Sequence, residues 1–372
     1  MNPKINNLAR PYAQARHDIV WVVDSQVWLS PQALGRAVDA LTTAPTAPAP
    51  DVLRRRPHGD RVGLVHHVPL GVLPADSWGS HVERTFLSTN HAKMYLAINA
   101  VAVDSCVMGK SNMYRKSDLA QVPDTFFAHD GGLPGSEAER ESGMIGSRAF
   151  DSGSADGSVT AGLGYGLDDV VRFAARPLSR FGIYLAEDNM LALSLWRPPL
   201  SLAHRVAPGD VAHVAVGDIR TLGEYARRRM RWIRVRRHMV AVATYLEPFT
   251  ESLVAGIVGW IAFRTWILGA FGVWSSGGAT LAFIVFYATH LVLWYKVDCA
   301  VLLALRAGIE LPEAEQRWLL PAWCLRELLA FPIWAWAMLG STVTWRGRRY
   351  RILSDARAAH LPAVEAEQPL AD

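Results

Sequence analysis

The chain has 372 residues, 51% of them hydrophobic, with 14 tryptophans; that length holds one sizeable catalytic domain, and that apolar balance argues against a wholly soluble protein. Its formal net charge is +4, and the basic residues gather at 227–237 and 346–351, a pattern that favours a lipid surface or a phosphate ligand and excludes a nucleic-acid partner. The three cysteines, Cys106, Cys299 and Cys324, are too few and too scattered for a disulfide framework or a structural zinc site, so the catalytic face is expected in the reducing cytosol.

In chain order, no charged segment followed by an apolar core opens the sequence, which predicts neither a signal peptide nor an N-terminal anchor. Residues 17–25 form a β-branched and aromatic run ending in Asp24, the pattern of a buried parallel strand with a polar tip, where open α/β sheets bind ligands. Ser30-Pro31 reads as a helix start leading into residues 33–41. Residues 42–60 are rich in Pro and Ala and read as a loop insertion. A strand is predicted over 61–68, a long helix over 78–99, and β-like alternation over 101–108. Residues 130–168, rich in Gly, Ser and acids, read as a second, flexible insertion.

A helix follows over 187–196 with Glu187 and Asp188 in its first turn, then a basic amphipathic stretch over 222–238. Three apolar blocks come next, 252–271, 279–297 and 328–343. The first two approach the ~20 helical residues that a bilayer core requires, and Arg264 and His290 inside them must snorkel, pair or face a cavity. The third is shorter. If all three cross the bilayer, the basic segment after Trp345 lands opposite the catalytic domain, against the positive-inside tendency. One block is therefore expected to be re-entrant or interfacial.

Three groups carry candidate chemistry. Asp24 at a strand tip offers the hard oxygen that Mg²⁺ or Mn²⁺ prefers, although Gln26 interrupts an Asp-x-Asp motif, and the tripeptide by itself favours a solvated turn aspartate. Glu187 and Asp188 supply a candidate general base, or simply complement a helix dipole. Arg228 and Arg231, three residues apart, lie on one helix face and can converge on a diphosphate with Trp232 beside them; the same pattern also suits an interfacial helix gripping lipid headgroups. The order of all three, followed by apolar segments, favours glycosyl transfer at a membrane.

The sequence resembles the ceramide glucosyltransferases through Asn2-Pro3-Lys4-Ile5-Asn6-Asn7-Leu8, Val23-Asp24-Ser25, Gly63-Leu64-Val65-His66 with Pro69, Thr89-Asn90-His91-Ala92-Lys93, Gly109-Lys110-Ser111 with Arg115-Lys116, Ala186-Glu187-Asp188, Arg228 to Trp232, Glu247-Pro248 and Trp345 to Arg351. The likeness covers nearly the whole chain apart from the two insertions. It implies an α/β chain with a partial glycosyltransferase-A fold: a cytosolic parallel-sheet nucleotide-sugar domain over 1–238, membrane helices over 239–345, and a basic, then disordered, tail over 346–372. It further implies UDP-glucose as donor, ceramide as acceptor, a divalent metal (Mg²⁺ or Mn²⁺), and multi-pass residence in the Golgi or ER membrane. By position, Asp24 corresponds to a metal and diphosphate contact, Asp188 to the base, and Arg228, Arg231 and Trp232 to the diphosphate and product-site motif. His91 matches a family histidine near the substrate pocket, or is a buried structural histidine. The family pattern begins with an anchor and a first nucleotide-binding strand ahead of the residues matched by Asn2, so the expectation is an N-terminally truncated chain. Another lipid or polysaccharide acceptor, or an inactive truncated scaffold, are the alternatives.

Overall fold

The computed structural model describes residues 2–43, 61–102, 105–128, 167–269 and 276–361. Five strands form its main sheet: β1 (Ile19–Val23), β2 (Val27–Trp28), β3 (Val62–Val72), β4 (Ser111–Arg115) and β5 (Ala203–Ala215). Their order is β1-β4-β3-β5-β2. The near-continuous apolar run of β3 makes it the central, buried strand. Only β3 and β5 run parallel; β1–β4, β3–β4 and β2–β5 are antiparallel.

The expected parallel sheet is thus a mixed one. β1 ends at Val23, just before Asp24, as predicted, but it lies at the sheet edge and pairs antiparallel to β4. Alternation of apolar residues encodes which face is buried, not the direction of the neighbour. β5 escaped the sequence reading because Pro208-Gly209 interrupts it with a turn signature, Gly209 standing at φ +71°. The interruption is a bulge: His66 faces Val206 while Val68 faces Val211.

The helices follow the sequence more closely. Asn2 caps α1 (Pro3–Gln14) by accepting from the Lys4 N–H at 2.8 Å, and α2 (Ala33–Thr42) follows β2. The long helix expected over 78–99 is α3 (Trp78–Phe86), a π turn (Leu87–His91) and α4 (Ala92–Val101) in succession. Of the alternation over 101–108, the described residues form no strand. α4 ends at Ala102 in the left-handed region, and β4 starts only at Ser111. After α5 (Lys116–Ala120) come α6 (Leu167–Ser179), α7 (Glu187–Trp196) and α8 (Leu222–Arg236). Apart from their rims, the insertions 42–60 and 130–168 lie outside the described residues.

α8 opens on a capping box, with the Thr221 hydroxyl accepting from the Glu224 N–H and the Glu224 carboxylate from the Thr221 N–H. Tyr225 and Ile233 pack into a core with Val82 and Phe86 of α3. Beyond α8 lie α9 (Ala241–Leu246), α10 (Ser252–Phe263), α11 (Ser276–Leu305) and α12 (Glu313–Met338). Within α11, Gly277–Leu305 has a mean hydropathy of 1.5 and is long and apolar enough to cross a membrane. Residues 241–250 and 252–267 meet at a 72° bend and amount to one broken span or a re-entrant loop. α12 contributes Ala322, Ile333 and Ala337 to the core shared with α3 and α8, and buries Arg326 and Glu327. The third apolar block therefore flanks α3 and α8. Of the tail expected to be basic and then disordered, the described residues 346–361 complete a three-stranded antiparallel sheet, β6 (Thr342–Trp345), β7 (Arg348–Ile352) and β8 (Ala358–Leu361); residues 362–372 lie outside the described residues.

Candidate active site

Three chain segments meet at the end of β1 and β4. Lys4 arrives on the first turn of α1, Asp24 just after β1, and Lys110 just before β4. Lys4 Nζ lies 3.0 Å from Asp24 Oδ1, and Lys110 Nζ lies 2.9 Å from Asp24 Oδ2. Burial alone would raise the Asp24 pKa, but the two ammonium groups outweigh it and hold the acid below its ordinary range. Asp24 is thus ionised and shared between two cations.

The first turn of α7 adds the acidic pair. Glu187 accepts from Asn2 Nδ2 at 2.7 Å and lies 3.3 Å from Lys4 Nζ. Desolvation raises the pKa of both Glu187 and Asp188; Glu187 is raised further by Asp188, while Lys4 opposes both shifts. Lys4 itself would be lowered by burial, but Glu187, Asp188 and Asp24 together raise it. Asp188 Oδ1 is closed off from solvent with no hydrogen-bond partner among the described residues. Gly109 makes room for this carboxylate, since a Cβ there would sit 2.5 Å from Asp188 Oδ2.

The fourth contribution is α8. Arg228, Arg231, Trp232 and Val235 are spaced i, i+3, i+4 and i+7, so one helix face carries them all. They line, with Lys4, Asp24, Lys110, Glu187 and Asp188, a cleft of about 280 Å³. Trp345 and Arg346, at the turn between β6 and β7, close its rim.

A second, smaller cavity of about 80 Å³ adjoins the first and shares Asp188, Arg228 and Trp232 with it. His91 lines this second cavity and not the cleft. Burial, with Arg229 and Arg236 nearby, pushes the His91 imidazole down to about 3, so it is neutral at physiological pH. Its Nδ1 and the Trp232 Nε1 are both buried without partners among the described residues. The structure thus places Asp24, Glu187, Asp188, Arg228, Arg231 and Trp232 around one cleft, with His91 one wall away from the rest.

The roles of Lys4 and Lys110 and the presence of Glu83 were not read from the sequence. Glu83 lies 2.9 Å from Arg228 Nε. Its only signal is an acid on a helix face that is otherwise buried, which spacing alone does not separate from an exposed salt-bridge residue.

For a divalent metal, the chain offers a small donor set. Among the described residues no cluster of three or more His, Cys, Asp or Glu is poised to ligate one, and both Asp24 oxygens face ammonium groups. Mg²⁺ characteristically takes one or two carboxylates and completes its shell with substrate phosphates and water. Asp24 is one carboxylate of that kind, held here between Lys4 and Lys110.

An ionised, cation-flanked acid, a buried general-base candidate and an arginine face, mounted beside exposed apolar helices, define a membrane-associated enzyme that transfers a group from a phosphate-activated donor. The chain matches the family described as glycosyl transferase family 21 over residues 1–123 and 177–358, and it belongs to that family. It is 34% identical to a ceramide glucosyltransferase of Komagataella phaffii, the match covering 97% of this chain and 69% of that protein. It is 31% identical to one of Pyricularia oryzae over 98% and 70% of the two chains, and 28% identical to one of Candida albicans over 97% and 73%.

Proposed function

We propose that the protein transfers glucose from UDP-glucose to the primary hydroxyl of ceramide with inversion, giving β-glucosylceramide. The observation that carries this reading is the position of Asp188 on the wall between a basic cleft and a second, largely apolar cavity. A base in that place reaches both a donor sugar and an acceptor hydroxyl. The diphosphate occupies the cleft against Arg228, Arg231, Lys4 and Lys110, and Trp232 packs beside it. The acceptor headgroup enters the second cavity, where His91 and Trp232 offer polar atoms.

In the reaction, Asp188 takes the proton of the acceptor hydroxyl as its oxygen attacks the anomeric carbon from the face opposite UDP. The bond from that carbon to the β-phosphate oxygen breaks, and UDP leaves with the electron pair. The guanidinium and ammonium groups stabilise the charge that gathers there. A divalent ion held by Asp24 would add to that neutralisation.

The catalytic domain proposed over 1–238 faces the cytosol of the Golgi or ER, and the apolar helices over 241–267 and 277–305 hold it at the lipid surface. Incubating the protein in ceramide-containing nanodiscs with labelled UDP-glucose tests the reading. Glucosylceramide should form, and Asp188→Ala should lower kcat by about 10²–10⁴-fold, the usual contribution of a positioned base. Glucose appearing on another lipid and not on ceramide would contradict the acceptor.

A further inference from the structure

One buried acid beside the site has no part in the reaction as written. Glu83 on α3 is 2% exposed, and its Oε1 lies 2.9 Å from Arg228 Nε. That contact engages the inner nitrogen of the guanidinium. Its outer nitrogens make no hydrogen bond among the described residues, Nη1 standing 3.9 Å from the exposed Asp218 carboxylate. The outer fork is thus left for an anion in the cleft.

The other Glu83 oxygen, Oε2, is shut off from solvent and has no partner among the described residues. Glu83 lines the second cavity, alongside Asp188, His91 and Trp232. A buried carboxylate oxygen without a donor is costly, so an oxygen of this kind beside a cavity is an acceptor whose donor comes with the ligand. The remaining cavity wall is largely apolar, with Phe86 and Leu87 contributing, and its further arginines, Arg229 and Arg236, are already paired with Glu247. That lining suits the base of a lipid headgroup better than a second phosphate.

We propose that Glu83 joins the two halves of the site: Oε1 aims Arg228 at the donor diphosphate, and Oε2 accepts a hydrogen bond from the amide N–H or the second hydroxyl of the acceptor. The proposal rests on the glucosyl-transfer reading. Glu83 is a positioning residue toward the donor and a specificity residue toward the acceptor. One carboxylate then senses whether both subsites are correctly filled.

The test uses the full chain in nanodiscs, with Glu83→Gln and Glu83→Ala. Glutamine keeps an oxygen for Arg228 Nε but sets an NH₂ group where Oε2 stood. Acceptors are ceramide, its N-methyl-amide analogue and its 3-deoxy analogue, and UDP affinity is measured separately by calorimetry. Glu83→Gln should bind UDP within about threefold of the parent and raise KM for ceramide about tenfold, the scale of one lost hydrogen bond to a charged group. It should also lose the parent's discrimination against one of the two analogues. Glu83→Ala should in addition weaken UDP binding about tenfold.

Fully additive losses for both analogues overturn the acceptor contact, and unchanged UDP affinity in a folded Glu83→Ala overturns the aiming of Arg228. If Glu83→Ala does not fold, the glutamine variant and the analogues decide the acceptor contact, which suffices to sustain or sink the proposal. A parent protein that transfers no glucose to ceramide refutes the underlying function, a result separate from any difference between the variants.

Discussion

At the scale of single residues, the proposed base is defined by its surroundings more than by its identity. Desolvation raises the Asp188 pKa against the pull of Lys4, and only the ionised acid can accept a proton. Activity is therefore lost as pH falls through that raised pKa, so the acid limb of the kcat profile should lie above the ordinary carboxylate range. A profile flat down to pH 4 would argue against Asp188 as base. Gly109 sharpens the same point. An alanine there would place its Cβ 2.5 Å from Asp188 Oδ2, forcing the carboxylate aside without touching the hydrophobic core. Gly109→Ala should lower kcat by at least about tenfold, since misplacement of a reacting group by ~1 Å costs on the order of 10²-fold, while UDP affinity and melting temperature stay near those of the parent. An equal loss of UDP affinity would show that the substitution disturbs the whole cleft.

At the scale of elements, α8 is the part on which the site depends most, and two of its faces are fixed by different means. Its Arg228 face meets the cleft. Arg229 and Arg236, seven residues apart, share the carboxylate of Glu247, which is buried in the turn after α9; Arg229 Nη2 lies 3.0 Å from Glu247 Oε1, and Arg236 bonds the other oxygen. The Arg229 guanidinium also stacks 3.6 Å over Phe86. Glu247→Ala leaves two cations facing a buried gap, so it should cost about 3–5 kcal/mol, as breaking a buried pair does, read as a lower melting temperature in detergent. A change within the error of the melt would mean that the two arginines find water instead.

This helix also shows what could be read in advance. The spacing of Arg228, Arg231 and Trp232 gave their common face, and the acidic pair gave the start of α7, because helical periodicity is local. The Lys4–Asp24–Lys110 cluster and the Glu83–Arg228 pair were not legible, because each joins elements far apart in sequence and only the folded sheet decides which of many charges meet. β5 was hidden by its own bulge. The antiparallel setting of β1 was hidden because a strand's pattern does not name its neighbour.

At the scale of the whole molecule, the question is how the site is held relative to a bilayer. A buried charge network ties the elements together. Asp298 of α11 accepts from Arg326 Nη2 at 2.9 Å and from Trp323 Nε1 at 2.7 Å, both on α12, and pairs with Lys93 of α4 at 2.5 Å. Glu327 accepts from the Ser252 N–H of α10 at 3.0 Å, and His290 donates to the Ser252 carbonyl at 2.8 Å. The C-terminal end of α11 is therefore locked to the catalytic domain. Along the rest of α11, Leu281, Ile284, Val285, Val292 and Leu293 stand exposed, an apolar surface that a water-facing helix would not keep.

The stretch from Gly277 to Asp298 rises about 32 Å at 1.5 Å per residue, close to the ~30 Å of a hydrocarbon core. If Asp298 sits at the catalytic face, Gly277 reaches the opposite one. β6 to β8 also belong to the catalytic side, since Val343 and Ile352 pack with Val235 of α8. The proposed arrangement is an outgoing bent segment and a returning α11, two crossings that would keep Arg346 to Arg351 on the cytosolic face in accord with the positive-inside tendency. Single cysteines at Gly277 and Thr344, placed in a chain whose three native cysteines are serine, separate the possibilities in sealed microsomes. A membrane-impermeant maleimide should label Thr344→Cys directly and Gly277→Cys only after permeabilisation. Labelling of both from the cytosolic side would make α10 and α11 a re-entrant pair, so that the acceptor approaches the second cavity from one leaflet along a hairpin that never leaves it.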